Sequence, residues 1–244
     1  MLNKRLILEK THDKCMSGKP ELTAVFIHGI ASDSSSFENA LKYLEEVKRL
    51  DKVRFVAFDL LGAGKSYTSD ELEYNMEEQI EALHNAIEQL ELTTPLVLVG
   101  HSMGTFIVTR YADTYKDSVK RLILVSPPIY TEKDLANPAF DKALDVFRDA
   151  VSIKNREILE TKAFNNSIKN IVTSKKNYKT LANIKTPTVL IYGDKDAFIA
   201  LYNLPKILAD NPEYVSAIHT IGHHGVSREK YTKIAEELEG VLDA

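Results

Sequence analysis

The sequence predicts an α/β protein, a mainly parallel central sheet flanked by helices, and three observations carry that prediction. Short β-branched runs alternate with longer amphipathic ones along the 244 residues. Several of the short runs are apolar almost throughout, as strands covered on both faces must be. A single stretch, 129–186, breaks the alternation, which suits a helical insertion lying over one edge of the sheet.

Taken in order, the strand candidates are 5–9, 23–27, 53–58, 96–99, 121–125, 188–192 and 214–220. Helical patterns occupy 36–50, 76–92, 103–115, 201–209 and 227–242. In the second of these, Ile80, Leu83, Ile87 and Leu90 recur at a spacing that puts one apolar stripe on one face. Strand–helix alternation of this kind favours parallel pairing through helical crossovers. Within 129–186 only helical stretches at 140–151 and 156–172 stand out. Their Phe140, Leu144, Phe147, Ile158, Phe164, Ile168 and Ile171 need something to cover. The domain reading is therefore a core of 1–128 and 187–244 with a helical cap at 129–186.

Composition narrows the function classes. Hydrophobic residues make up 44% and charged ones 27%, enough apolar material for one large core. A net charge of −4 offers no basic face for nucleic acid. Leu6-Ile7-Leu8 is too short for a signal-peptide core, and no run of about 18 apolar residues occurs. Cys15 is the only cysteine, and neither His84 nor His219 has a second histidine or carboxylate at ligand spacing, so neither an internal disulfide nor a zinc site is expected. The expectation is a cytoplasmic protein without a metal or organic cofactor and without membrane or nucleic-acid partners. Oligomeric state is open.

The chemistry concentrates at Gly100-His101-Ser102-Met103-Gly104, directly after the run Leu96-Val97-Leu98-Val99 and directly before a helical pattern. A serine at a strand-to-helix turn with glycine two positions away on either side holds its hydroxyl out of the fold. The competing reading, a glycine-rich turn whose serine merely caps a helix, predicts no partners downstream. Partners exist: Gly193-Asp194-Lys195-Asp196 follows one later strand and Gly222-His223-His224-Gly225 follows the next. Gly64-Lys65-Ser66 ends like a phosphate-binding loop, but the position needing the first glycine is Asp59, which is wrong in bulk and in sign. Asp59, Gly62 and Gly64 read instead as a tight turn supporting the neighbouring loop.

These pieces, with Phe26-Ile27-His28-Gly29 and the stretch from Asp59 to Ser66, resemble the α/β-hydrolase superfamily. The likeness is to its group with a small helical cap, which includes carboxylesterases, lactonases and carbon–carbon bond hydrolases. The pieces stand in that family's order across 22–128 and 187–240; the stretch 129–186 matches only in being a cap by position. The resemblance implies Ser102 as nucleophile, His223 as general base and Asp196 as the carboxylate that orients it. The amides of Ile30 and Met103 would form the oxyanion hole. Asp194 competes with Asp196, and His224 with His223. For Asp194 the other reading is an Asx-type turn, and for His224 a pocket wall or an exposed side chain.

His28, His101, Phe140, Phe147, Phe164 and His224 are candidates to line the substrate pocket. Structural readings compete for two of them: His28 bonding loop carbonyls, and His101 at an elbow position where most residues serve. Lys162, Lys169, Lys175, Lys176, Lys179 and Lys185 could form a basic lip for anionic substrates or simply a solvated face. The implied activity is hydrolysis of small carboxylic esters through an acyl-enzyme. Lactone, thioester or carbon–carbon cleavage and perhydrolase chemistry share the machinery, and a non-catalytic binding protein of the same fold is the rival from another class.

Overall fold

In the computed structural model of the chain, residues 6–244 are described. Seven strands form one sheet: β1 (Glu9–Cys15), β2 (Leu22–Ile27), β3 (Val53–Asp59), β4 (Leu96–His101), β5 (Arg121–Val125), β6 (Thr188–Gly193) and β7 (Val215–Thr220). Their spatial order is β1-β3-β2-β4-β5-β6-β7, and every pairing is parallel except β1 with β3. The α/β prediction holds.

Alternate residues of the central strands feed two cores. Leu22, Ala24 and Phe26 of β2, with Val97 and Val99 of β4, pack on the side of α1 (Glu38–Glu46) and α9 (Arg228–Leu242). Val25, Ile27, Leu96 and Leu98 pack on the side of α2 (Met76–Glu88) and α3 (Met103–Thr114). β2 and β4 are buried along their whole length, which is why they read as unbroken apolar runs.

Order reverses between β2 and β4: β3 lies on one side of β2, and the chain returns to place β4 on the other. At such a switch point the loops leaving adjacent parallel strands diverge and leave a crevice at the strands' C-terminal ends. The segments leaving β2 and β4 begin at His28 and Ser102.

Several expected elements differ. Of the strand expected at 5–9, residue 5 lies outside the described residues, and the strand runs over Glu9–Cys15. It is a polar, largely exposed edge whose register shifts between Lys10 and His12, so hydrophobic patterning could not find it. The helix expected at 36–50 is a 3-10 turn (Ser34–Phe37), α1 and a second 3-10 turn (Lys48–Leu50), broken where Val47 is extended. The helix at 76–92 ends at Glu88. It starts where predicted because Asn75 and Glu78 form a reciprocal capping box.

Between β5 and β6 lie α4 (Glu132–Leu135), α5 (Pro138–Asn155), a 3-10 turn (Arg156–Glu160), α6 (Lys162–Ser167), a π turn (Ile168–Val172) and α7 (Lys176–Asn183). The stretch 156–172 is thus three short pieces rather than one helix, and α4 and α7 were not foreseen. Between β6 and β7 a 3-10 turn (Leu201–Asn203) runs into α8 (Leu204–Asp210). Lys162 anchors the insertion to the loop before α2 through Glu73 (2.8 Å) and the carbonyl of Asp70 (2.8 Å).

Candidate active site

Ser102 occupies a backbone conformation that side chains rarely adopt, φ 51° and ψ −121°. Two glycines make this turn possible by close approach. A Cβ on Gly100 would stand 2.8 Å from the backbone of Gly104, and one on Gly104 would stand 2.3 Å from the carbonyl oxygen of Ile27. The start of α3 therefore rests directly on the end of β2, bringing the loop that follows β2 beside Ser102.

The Ser102 hydroxyl meets Nε2 of His224 at 2.8 Å. Nδ1 of the same ring faces both oxygens of Asp196, at 3.0 and 2.9 Å. An ionised carboxylate only accepts, so Nδ1 carries the ring proton and Nε2 is the bare nitrogen that accepts from Ser102. The Asp196 side chain is shut off from solvent and also accepts from the amide of Phe198 (3.0 Å). Burial pushes the carboxyl up; the His224 hydrogen bond and charge outweigh it, and the net direction is down.

The expectation for the imidazole is corrected here. His224, not His223, reaches Ser102. The His223 ring is exposed and its Nδ1 lies 3.2 Å from the carbonyl of Lys195. Adjacent side chains diverge, so one histidine at most could point inward, and the conformation of the turn decides which. Asp196 is the partnered carboxylate. Asp194 accepts from the amide of Gly222 (2.9 Å) and braces the turn, its competing reading.

A partly open cavity lies in front of Ser102. Ile30, Met103 and His224 line it beside Ser102, as do Phe140, Leu144 and Phe147 of α5. Met103 is the first residue of α3, where an amide has no acceptor within the helix and the helix dipole favours negative charge. Tyr130 and Phe198, which sequence reasoning missed, complete an aromatic side. The Tyr130 hydroxyl donates to the Phe198 carbonyl (2.7 Å), and the Phe198 ring stands edge-on to His224 at 5.4 Å.

Of the expected pocket residues, Phe140, Phe147 and His224 line this cavity. Phe164, His28 and His101 do not. Phe164 stacks behind Phe147 (6.4 Å) and, with His28, borders a separate small space beyond Ile30 and Met103. His28 is structural: its Nε2 accepts from the Leu60 amide (2.9 Å), so Nδ1 carries the proton and donates to the Gly29 carbonyl (2.7 Å). His101 is buried, and its Nε2 donates to the His224 carbonyl (2.9 Å). Asp59 braces the loop as expected, accepting from the amides of Ser34 (2.9 Å) and Lys65 (2.8 Å). A Cβ on Gly64 would stand 2.1 Å from its carboxylate.

None of Lys162, Lys169, Lys175, Lys176, Lys179 and Lys185 lines the Ser102 cavity. Lys162 is engaged by Glu73, and Lys185 lies 4.9 Å over the ring of Tyr214. The solvated-face reading fits. Among the described residues there is no cluster of potential metal ligands, and no helix is long and apolar enough to cross a membrane.

Comparison with known proteins places this geometry in a family context. The family model described as alpha/beta hydrolase fold matches residues 25–167. The protein named probable lysophospholipase BODYGUARD 5 from Arabidopsis thaliana is 36% identical over 135 residues, covering 55% of this chain and 30% of that protein. The pimeloyl-[acyl-carrier protein] methyl ester esterase of Wigglesworthia glossinidia brevipalpis is 28% identical over 221 residues, covering 78% and 81%. Among solved structures, a lipase-esterase related protein from Clostridium acetobutylicum superposes with a TM-score of 0.71 at 21% identity, covering 96% of this chain and 99% of that one.

Proposed function

The chain belongs to the alpha/beta hydrolase fold family, and from that premise we propose that it is a serine hydrolase cleaving carboxylic esters with neutral, apolar acyl groups. The observation that carries this reading is the unbroken hydrogen-bonded chain from Ser102 through His224 to Asp196. Ser102 attacks the acyl carbon as its proton passes to Nε2 of His224. Asp196 holds the ring in the required tautomer and stabilises the imidazolium. The amides of Ile30 and Met103 receive the developing oxyanion, a donor pair whose members are each worth about 10²–10³ in rate. His224 then returns the proton to the leaving alcohol, and water attacking by the reverse route frees the acid. Residues 1–128 and 187–244 act as the core and 129–186 as the cap that shapes the acyl site.

The acyl preference follows from what the cavity wall lacks. Among the described residues no Asp, Glu, Lys or Arg lines it, and the Tyr130 hydroxyl is already committed to Phe198. A carboxylate on the acyl chain would lose water there and find no partner, at a cost of several kcal/mol. Relatives named as esterases and lysophospholipase fit ester cleavage in general.

The test is turnover across a panel of p-nitrophenyl esters and lactones of graded length. The neutral six-carbon ester should exceed its ω-carboxy analogue in kcat/KM by roughly 10²-fold or more. Equal rates for the two would refute the acyl reading. A folded protein that turns over none of them and is not labelled by a fluorophosphonate would point to the non-catalytic alternative.

A further inference from the structure

Lys230 is fully buried, in the first turn of α9. Two physical effects oppose an ammonium there. Burial strips its hydration, and the helix N-terminus is the positive end of the dipole. What offsets them is a cluster of oxygens: Nζ donates to Ser126 Oγ (2.6 Å), to the His223 carbonyl, to the Gly225 carbonyl (3.1 Å) and, at 3.3 Å, to the His224 carbonyl. The Ser126 hydroxyl spends its own hydrogen on the His224 carbonyl (2.8 Å), so it accepts from Lys230. A neutral amine, with two hydrogens, could not serve Ser126 Oγ and the 223 and 225 carbonyls together; the charged form, with three, does, since the His224 carbonyl already accepts from Ser126.

Three consecutive carbonyls, 223 to 225, are thereby turned toward one point. Fixing those peptide planes fixes where the intervening Cα–Cβ bonds aim. The His223 side chain leaves toward solvent and the His224 side chain toward Ser102 and Asp196. We propose that Lys230, together with Ser126, is a positioning residue that determines which of the two adjacent histidines is presented to Ser102 and holds its ring in reach. The inference rests on the serine-hydrolase reading above. The lysine touches no reacting atom; it acts through the backbone of the turn.

The experiment compares wild type, Lys230→Met, Ser126→Ala and the double variant. It measures kcat and KM on one neutral ester, the rate of fluorophosphonate labelling of Ser102, and thermal stability. A displacement of the imidazole by about 1 Å costs roughly 10²-fold. Lys230→Met should therefore lose about that in kcat per folded molecule, with KM within about twofold and labelling slowed in parallel. Ser126→Ala should fall in the same direction but less. The double variant should lose less than the product of the two, because both act on one network. A folded Lys230→Met with wild-type kcat and labelling rate, even at lowered melting temperature, overturns the proposal and leaves the lysine a purely structural group. Should that variant fail to fold, wild-type kcat in Ser126→Ala overturns it equally. Absence of labelling in the wild type would instead strike the underlying hydrolase reading.

Discussion

At the scale of one residue, the Ser102 backbone combines reactivity with strain. Its positive φ costs a non-glycine residue about 1–3 kcal/mol, sustained by the packing of Gly100 and Gly104 around it. Relieving that strain with glycine costs about 0.5–1 kcal/mol of chain entropy in return. Ser102→Ala and Ser102→Gly both lack the proposed nucleophile and should both lose roughly 10⁶-fold in kcat. Only the glycine variant relaxes the turn, so its unfolding free energy should exceed that of the alanine variant by about 1 kcal/mol. A glycine variant less stable than the alanine variant by about 0.5–1 kcal/mol in urea titration would mean that the elbow is unstrained.

At the scale of elements, the ends of β2 and β4 each carry a buried, neutral histidine. Burial pushes His28 below its ordinary value, and burial together with the His224 ring pushes His101 down to about 3. In the unfolded chain both titrate near 6.5. Between about 6.5 and 3 the unfolded chain binds a proton that folded His101 refuses, and His28 acts in the same direction. Their contribution is complete above about pH 6.5 and is lost as pH falls. Each group contributes up to about 1.4 kcal/mol per pH unit. Urea midpoints taken from pH 7.5 to 5 should fall accordingly. His101→Gln, which keeps a donor for the His224 carbonyl, should give a shallower slope; an unchanged slope would show that the ring binds protons alike in the folded and unfolded chain.

The same elements show what a sequence can and cannot announce. β2 and β4 were legible because both their faces are buried, and α2 because its apolar residues recur at helical spacing. β1 was not, since an exposed edge strand has no apolar pattern to read. The histidine beside Ser102 was misassigned for a related reason. Neighbours differ by one position, and carbonyls bonded by residues 126 and 230 select between them. One clue was present: Lys230 shares the buried face of α9 with Ile234 and Leu238, where a lysine ought not to be.

Over the whole molecule, the site depends on convergence. Ser102 follows β4, Asp196 follows β6 and His224 follows β7, so 122 residues separate the hydroxyl from the ring that meets it. Parallel pairing delivers all three to the same sheet edge, and the insertion between β5 and β6 supplies apolar residues to the cavity lining. The claim that this convergence makes Ser102 reactive is tested most directly by intact-mass kinetics of fluorophosphonate labelling in wild type, His223→Ala and His224→Ala. Single addition at Ser102 should proceed at the wild-type rate in His223→Ala and become undetectable in His224→Ala. The reverse pattern, or equal labelling of all three proteins, would contradict the account.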